Sequence, residues 1–304
     1  MCSFPGIERL PGVDYLVKGL IRNSISVLTC RTTNLVETAR KKHDLSPLST
    51  CVLGRLLTLS ALMGGLLKEN QSVNLQVVSD GPARGVFAQC DWLGRVRGYI
   101  RETQLDTWLT PEGKFDVPRA IGKGFLYVVK DLGLRDPYVG TVNIVTGGLA
   151  SDLAYYFLQS EQIPSVVGCG VFVSKEGTVA AAGGYIVQAT PGTPEEILST
   201  VEDQIEGMHP PSSMILQGKT PEEIFHTIAG ELPSQITQEN GLKFYCHCSR
   251  YRARRALALL GTEQLKDLLK SEKSASVRCQ FCNAEYLFTE EDILEIIAKI
   301  DRRS

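Results

Sequence analysis

Four cysteines near one end constrain this chain more than any other feature: Cys246-x-Cys248 and Cys279-x-x-Cys282. Two close pairs, thirty residues apart, supply the four sulfur ligands that tetrahedral zinc requires. The second pair, in RCQFCNAEYLF, has ordinary knuckle spacing, whereas the first, with one intervening residue, is tighter than usual. A module of about sixty residues has few apolar side chains to bury, so its fold is expected to depend on the metal, which contributes about 10–16 kcal/mol in structural sites. Accessible zinc-bound thiolates are also nucleophiles toward peroxide or hypochlorite, and a sulfenate on one is converted to a disulfide by its neighbour. A Cys-x-Cys disulfide closes a very small ring and is expected to be strained and readily reduced. The residues alone leave two readings open, a permanently closed structural site and a reversible redox switch.

The other five of the nine cysteines stand singly. Cys30, Cys51, Cys90 and Cys169 read as small core residues, Cys2 as a core residue or an exposed thiol. His247, between two ligands, is expected to point away because four sulfurs complete the shell. The start, MCSFPGIERLPG, has no basic region, apolar run or cleavage pattern, so a reducing, cytoplasmic setting is expected. The longest uncharged apolar stretch, LLTLSALMGGLL between Arg55 and Lys68, is shorter than the ~20 residues that cross a bilayer and reads as a buried helix. A net charge of −2 gives no global case for nucleic acid or a membrane surface.

Hydrophobic patterning describes an α+β protein in three parts. Within 1–190, NSISVLTCRT (23–32) is β-rich, and TNLVETARKKHDL (33–45) puts Leu35, Val36 and Ala39 on one helical face. SPLSTCVLGRLLTLSALMGGLL (46–67) has Pro47 after a capping Ser46, then small and apolar residues on nearly every face, as in a helix enclosed by a domain. Alternating runs in 72–100, broken at Asp80-Gly81-Pro82 and Leu93-Gly94, predict antiparallel hairpins. More strands are expected in 125–132, 141–147, 168–174 and 178–188, with a helix over 149–163. The N-terminal part is therefore expected to be a mixed α/β domain of antiparallel sheets packed on helices.

Residues 191–240 differ: they hold six of the fourteen prolines, and nine acidic residues against Lys219 give a net charge of −8. TPEEI occurs at 193–197 and at 220–224, each copy with a Thr cap, Pro at the first helical position and Glu three residues after the Thr. Ile197, Leu198, Val201, Ile205 and Met208 form one apolar stripe, and Ile224, Phe225 and Ile228 a shorter one ending at Gly230. Each helix needs a surface to lie on. This segment reads as an acidic helical linker, ordered only by docking onto its neighbours. Residues 241–304, net +3, form the small zinc-binding domain: a helix after Ser249, a second one after Gly261, a short strand and a helix capped by Thr289.

QGKT (217–220) mimics the end of a phosphate loop, but Ser213 stands where the first glycine belongs and Thr220 is needed as a helix cap, so no ATP site is expected. H-E-x-x-H, G-x-S-x-G and dinucleotide glycine patterns are absent, which argues against an enzyme. The run Arg250, Arg252, Arg254, Arg255 reads as a solvated helix face that also favours the thiolates or pairs with the acidic linker. The alternative is a zinc-ribbon adaptor binding nucleic acid through those arginines.

CHCSRYRARRALALLG, RCQFCNAEYLF, ASDLAYYFLQSEQIPSVVGCGVFV and AAAGGYIVQATPG together resemble the redox-regulated 33 kDa chaperonin family of heat-shock proteins. The resemblance begins at Asp14-Tyr15-Leu16-Val17, continues through RTTNLVETARKKHDLSPLSTCVLGRLLTLSALMGG to the C-terminal helix, and leaves a thirteen-residue extension unexplained. It implies an ATP-independent holdase, dormant and monomeric when reduced with one zinc per chain on Cys246, Cys248, Cys279 and Cys282. It further implies that oxidation releases zinc, links Cys246 to Cys248 and Cys279 to Cys282, unfolds the linker and yields a dimer that holds unfolding proteins. On that reading the two apolar stripes, Ile197 to Met208 and Ile224 to Ile228, and the surface they uncover are the candidate client-binding area. No nucleotide, nucleic acid or membrane partner is implied.

Overall fold

The computed structural model describes residues 12–301; Cys2 and the start of the N-terminal extension lie outside them. The chain divides after Tyr245 into two compact units.

The first unit begins with the hairpin β1 (Tyr15–Ile21) and β2 (Ile25–Arg31), then α1 (Thr33–His43) and α2 (Pro47–Gly64). β3 (Ser72–Ser79), β4 (Val86–Asp91) and β5 (Arg95–Ile100) form the antiparallel meander that the broken alternation in 72–100 predicts. α3 (Val117–Ile121), β6 (Gly124–Asp131) and β7 (Tyr138–Asn143) follow, then α4 (Ala150–Tyr156), which runs into a π-helical turn at Phe157–Glu161. β8 (Ser165–Val173) and β9 (Val179–Ala189) precede α5 (Glu195–Glu206), α6 (Pro211–Leu216) and α7 (Pro221–Ala229), and β10 (Ser234–Gly241) and β11 (Lys243–Phe244) complete the unit. The strands make two sheets, β10-β1-β2-β9-β8 and β11-β5-β4-β3-β6-β7, in which only the short β11–β5 pairing is parallel.

α2 explains this architecture. Ser46 Oγ accepts from Ser49 N and Pro47 opens the first turn, so the helix is capped where the sequence indicates. It has no polar face because it packs on strands of both sheets, among them β4, β5, β8 and β9, with 89% of its 18 residues buried. By length and composition it could cross a membrane; the protein interior takes that place instead. Gly64 is required where the helix passes β4, because a Cβ there would strike the Cys90 side chain.

The acidic segment lies on the five-stranded sheet. α5, α6 and α7 bury Val201, Met214, Ile215, Ile224, Phe225 and Ile228 against Ile21, Ile25, Val27, Ala181, Tyr185 and Val187. A Cβ on Gly19 of β1 would come within 2.5 Å of the Phe225 ring, so this glycine makes room for α7. Tyr15 Oη donates to Glu222 Oε2 at 2.6 Å, and Thr29 Oγ1 to the buried Pro221 carbonyl at 2.7 Å, which fixes the start of the same helix. The two TPEEI copies diverge. Thr220 forms a full capping box with Glu223, whereas Thr193 spends its hydroxyl on the Ser24 and Thr190 carbonyls and leaves α5 without a side-chain cap. β10, a strand that the sequence pattern does not suggest, pairs antiparallel with β1 from Ser234 to Gly241. This is why 191–245 shares a compact unit with the segment before it.

The second unit contains α8 (Arg250–Ala258), α9 (Thr262–Ser271), the hairpin strands β12 (Ser274–Arg278) and β13 (Glu285–Thr289), and α10 (Glu290–Asp301). Its core is small: Ala253, Leu257, Leu265, Ala275, Phe288, Ile293, Ile296 and Ile297. Ser249 caps α8 through Arg252 N, and Thr289 exchanges hydrogen bonds with Asp292 at the start of α10.

Candidate metal centre and redox site

Two local structures deliver the four cysteines. Cys246 and Cys248 lie in the extended segment leading to the capped start of α8. Cys279 follows β12, and Cys282 sits in the turn before β13. Cys279 N donates to the Ala284 carbonyl and Asn283 N to the Cys279 carbonyl, both at 2.8 Å, while Asn283 takes φ of 58° to close the turn. All four Sγ atoms lie within 4.8 Å of one another. Contacts join one sulfur from each pair, Cys246 to Cys279 at 3.7 Å and Cys248 to Cys282 at 3.2 Å.

This donor set fits zinc. With Zn–S near 2.3 Å, the edge of a tetrahedron of sulfurs is about 3.8 Å. Four thiols, one buried and three half-buried, therefore stand close to the required spacing with no carboxylate or imidazole among them. The grouped donor atoms do not include His247.

Without metal, burial pushes the thiols of Cys246 and Cys282 up. At Cys248 burial also acts upward, but hydrogen bonds with Tyr286 and the neighbouring sulfurs overcome it and hold this thiol below its usual value. Tyr286 Oη donates to Cys248 Sγ at 3.1 Å, and the same bond pushes the phenol up to about 12. In the sequence Tyr286 stands inside the RCQFCNAEYLF knuckle. Its position four residues after Cys282, on the strand that leaves the turn, is the signal that would have assigned it.

The basic run is a largely solvated face, as the sequence indicates, with Arg250, Arg252 and Arg255 exposed and Arg254 half-buried, but it also makes ion pairs. Arg250 pairs with Asp292 at 2.7 Å and stacks on Phe288, and Arg254 pairs with Glu295 at 2.9 Å, so half of it braces α8 against α10. In the first unit Cys30, Cys51 and Cys90 are buried and Cys169 is half-buried against the core. Burial pushes all four thiols up, Cys51 to about 12 and Cys169 to about 11. Of the apolar stripe residues, Val201, Ile224, Phe225 and Ile228 are buried, while Ile197, Leu198, Ile205 and Met208 pack half-buried against the same cluster. A half-open apolar cavity of about 700 Å³ lies beside α5, lined in part by Ile25, Val166, Val187, Leu198, Val201 and Ile205.

Two antiparallel sheets around a buried helix, helices laid over one sheet, and a separate four-sulfur module define a protein whose distinctive chemistry is thiol and metal chemistry at a small C-terminal unit. The Hsp33 protein family model matches residues 14–289. The 33 kDa chaperonin of Citrifermentans bemidjiense is 40% identical over 95% of this chain and 99% of its own length, and that of Symbiobacterium thermophilum 41% identical over 93% and 97%. The crystal structure of the 33 kDa chaperonin (heat shock protein 33 homolog) from Thermotoga maritima superposes with a TM-score of 0.89, at 37% identity, covering 95% of this chain and 99% of that one. The chain belongs to the Hsp33 family of 33 kDa chaperonins, and a chaperone role follows from that membership.

Proposed function

We propose that this protein is a redox-controlled, ATP-independent holdase, silent while its four thiols are reduced and zinc-bound. The observation that carries this reading is the convergence of Cys246, Cys248, Cys279 and Cys282 within 4.8 Å in a unit with a core of few side chains. Bound there, zinc would supply a cross-link between the α8 entry and the β12–β13 turn and would keep the four sulfurs ionised.

Oxidation proceeds through the sulfurs themselves. A thiolate attacks an oxygen of hydrogen peroxide, the O–O bond breaks, hydroxide leaves and a sulfenic acid remains; a second cysteine thiolate then displaces hydroxide from it to form the disulfide. Each disulfide consumes one hydroperoxide and two sulfur electrons. We assign the oxidised bridges to Cys246–Cys248 and Cys279–Cys282, as in the family pattern; each sulfur lies within 4.8 Å of its sequence neighbour. Two disulfides leave no thiolate to hold the metal, and the two segments part.

The docked acidic segment supports the next step. Its eight apolar residues, Ile197, Leu198, Val201, Ile205, Met208, Ile224, Phe225 and Ile228, stabilise it only while they lie on the five-stranded sheet. Its repelling charges oppose that state, so loss of support frees it and uncovers two apolar surfaces at once. We assign client binding to these surfaces, action as a dimer to the oxidised form and a cytoplasmic setting to the protein, with no catalytic or nucleotide role. Peptide mapping of peroxide-treated protein, run beside light scattering of a heat-unfolding test protein, checks the assignment. Within-pair disulfides together with suppressed scattering support it; bridges across the pairs, or no gain in suppression, refute it.

A further inference from the structure

One side chain at the sulfur cluster has no part in the mechanism above. Tyr286 stands on β13 with its ring against the small core of the second unit and its hydroxyl on Cys248 Sγ at 3.1 Å. The ring is held by packing, so the hydroxyl is aimed. Two main-chain amides also reach the sulfurs, that of Cys248 at the Cys246 sulfur and that of Ala284 at the Cys282 sulfur. Those bonds come with the shape of the turns. The bond from Tyr286 depends on one side chain and on β13 staying in place beside the site.

A hydrogen bond donated to a thiolate withdraws electron density from sulfur and lowers its nucleophilicity. When all four sulfurs hold metal they are already ionised, so this loss of nucleophilicity is the effect that remains. We propose that Tyr286 is a positioning residue of the metal centre: its hydroxyl restrains attack of the Cys248 sulfur on hydroperoxide and thereby slows the loss of metal. The restrained step is the one written above, with Cys248 sulfur giving two electrons to the peroxide, the O–O bond breaking and hydroxide leaving. Tyr286 also ties the sulfur cluster to the core beside it, since displacement of β13 removes the restraint.

The inference rests on the redox reading of the site. The test compares full-length, reduced, zinc-loaded parent protein with Tyr286→Phe, which keeps the ring and removes the hydroxyl. Under hydrogen peroxide, zinc release is followed with a chelating dye and modification of each cysteine by quenched alkylation and mass spectrometry. Attack rises about threefold for each tenfold gain in sulfur basicity; Tyr286→Phe should therefore modify Cys248 and release zinc faster than the parent, the two rates rising by the same factor. In cobalt-loaded protein the thiolate-to-metal charge-transfer band should move to lower energy in the variant, a signature that a merely structural tyrosine would not alter. Equal rates with an unmoved band overturn the proposal, as does faster zinc release with Cys248 modified at the parental rate. Client protection by the oxidised parent is measured separately, and its failure would refute the chaperone reading while the cobalt band and the Cys248 rate still decide the role of Tyr286.

Discussion

Single residues in this protein are governed by what surrounds them. The four clustered thiols lie close to other sulfurs, three half-buried and Cys282 buried, and Cys248 is held below its usual value, whereas Cys30, Cys51, Cys90 and Cys169 are packed into or against the first unit's core and pushed up by burial. In the zinc-free native protein a thiol reagent at pH 8 should label Cys248 first and spare Cys30, Cys51, Cys90 and Cys169 until the chain is denatured; mass spectrometry of the labelled peptides checks this. Removing an outer hydrogen bond from a metal ligand costs about 10–100-fold in affinity, so Cys282→Ser, which removes a ligand, should weaken zinc binding by more than about 100-fold in a competition titration. Asp14 gives a pH effect of defined sign. Burial holds its carboxyl up at about 6, against the pull of the Leu35 amide and Arg31, while the unfolded chain has it at 3.8. A raised carboxyl favours the folded state when protonated, so this contribution is complete below about pH 4 and is lost as pH rises through about 6. The loss is about 3 kcal/mol at most, and Asp14→Asn should flatten the parent's stability profile by roughly that amount in urea titrations at pH 4 and pH 7. The four-cysteine cluster was legible at this scale because two short spacings suffice to name its members. Tyr286 was not, since a tyrosine on a strand beside a knuckle reads equally as core packing.

Secondary elements show where local signals were strong enough. α2 was legible because Ser46, Pro47 and an unbroken apolar run all agree. β10 was missed because SQITQENG is polar on both faces and mostly exposed; its extended state comes from pairing with β1 and not from its own pattern. The TPEEI repeats looked equivalent, and tertiary context separated them by drawing Thr193 to the Ser24 carbonyl. α7 is the better anchored helix, through its capping box, Tyr15, Thr29 and the Phe225 ring over Gly19. Phe225→Ala should cost about 3–5 kcal/mol and loosen α7. Hydrogen exchange should then quicken across 195–229 more than in β3 and β6, and the reduced variant should already suppress aggregation in part. Equal exchange in both regions would show that the acidic segment does not move as a separate element.

Across the whole molecule, a net charge of −2 conceals a segment of −8 between two parts of +3 each. That distribution suits an element kept in place by packing and released by its own repulsion. The fold class was readable because apolar periodicities mark layers well. The position of the unit boundary was not, because a polar strand, β10, joins the acidic segment to the first sheet. The central claim is that one chemical event at four sulfurs converts a silent protein into a holdase. It is tested most directly by adding peroxide at mild heat to reduced protein, with zinc release and light scattering of an unfolding client recorded in the same sample. The account requires one zinc per chain to leave as suppression appears, with no suppression before. Suppression of equal strength in the reduced protein, or activation with the zinc retained, would contradict it.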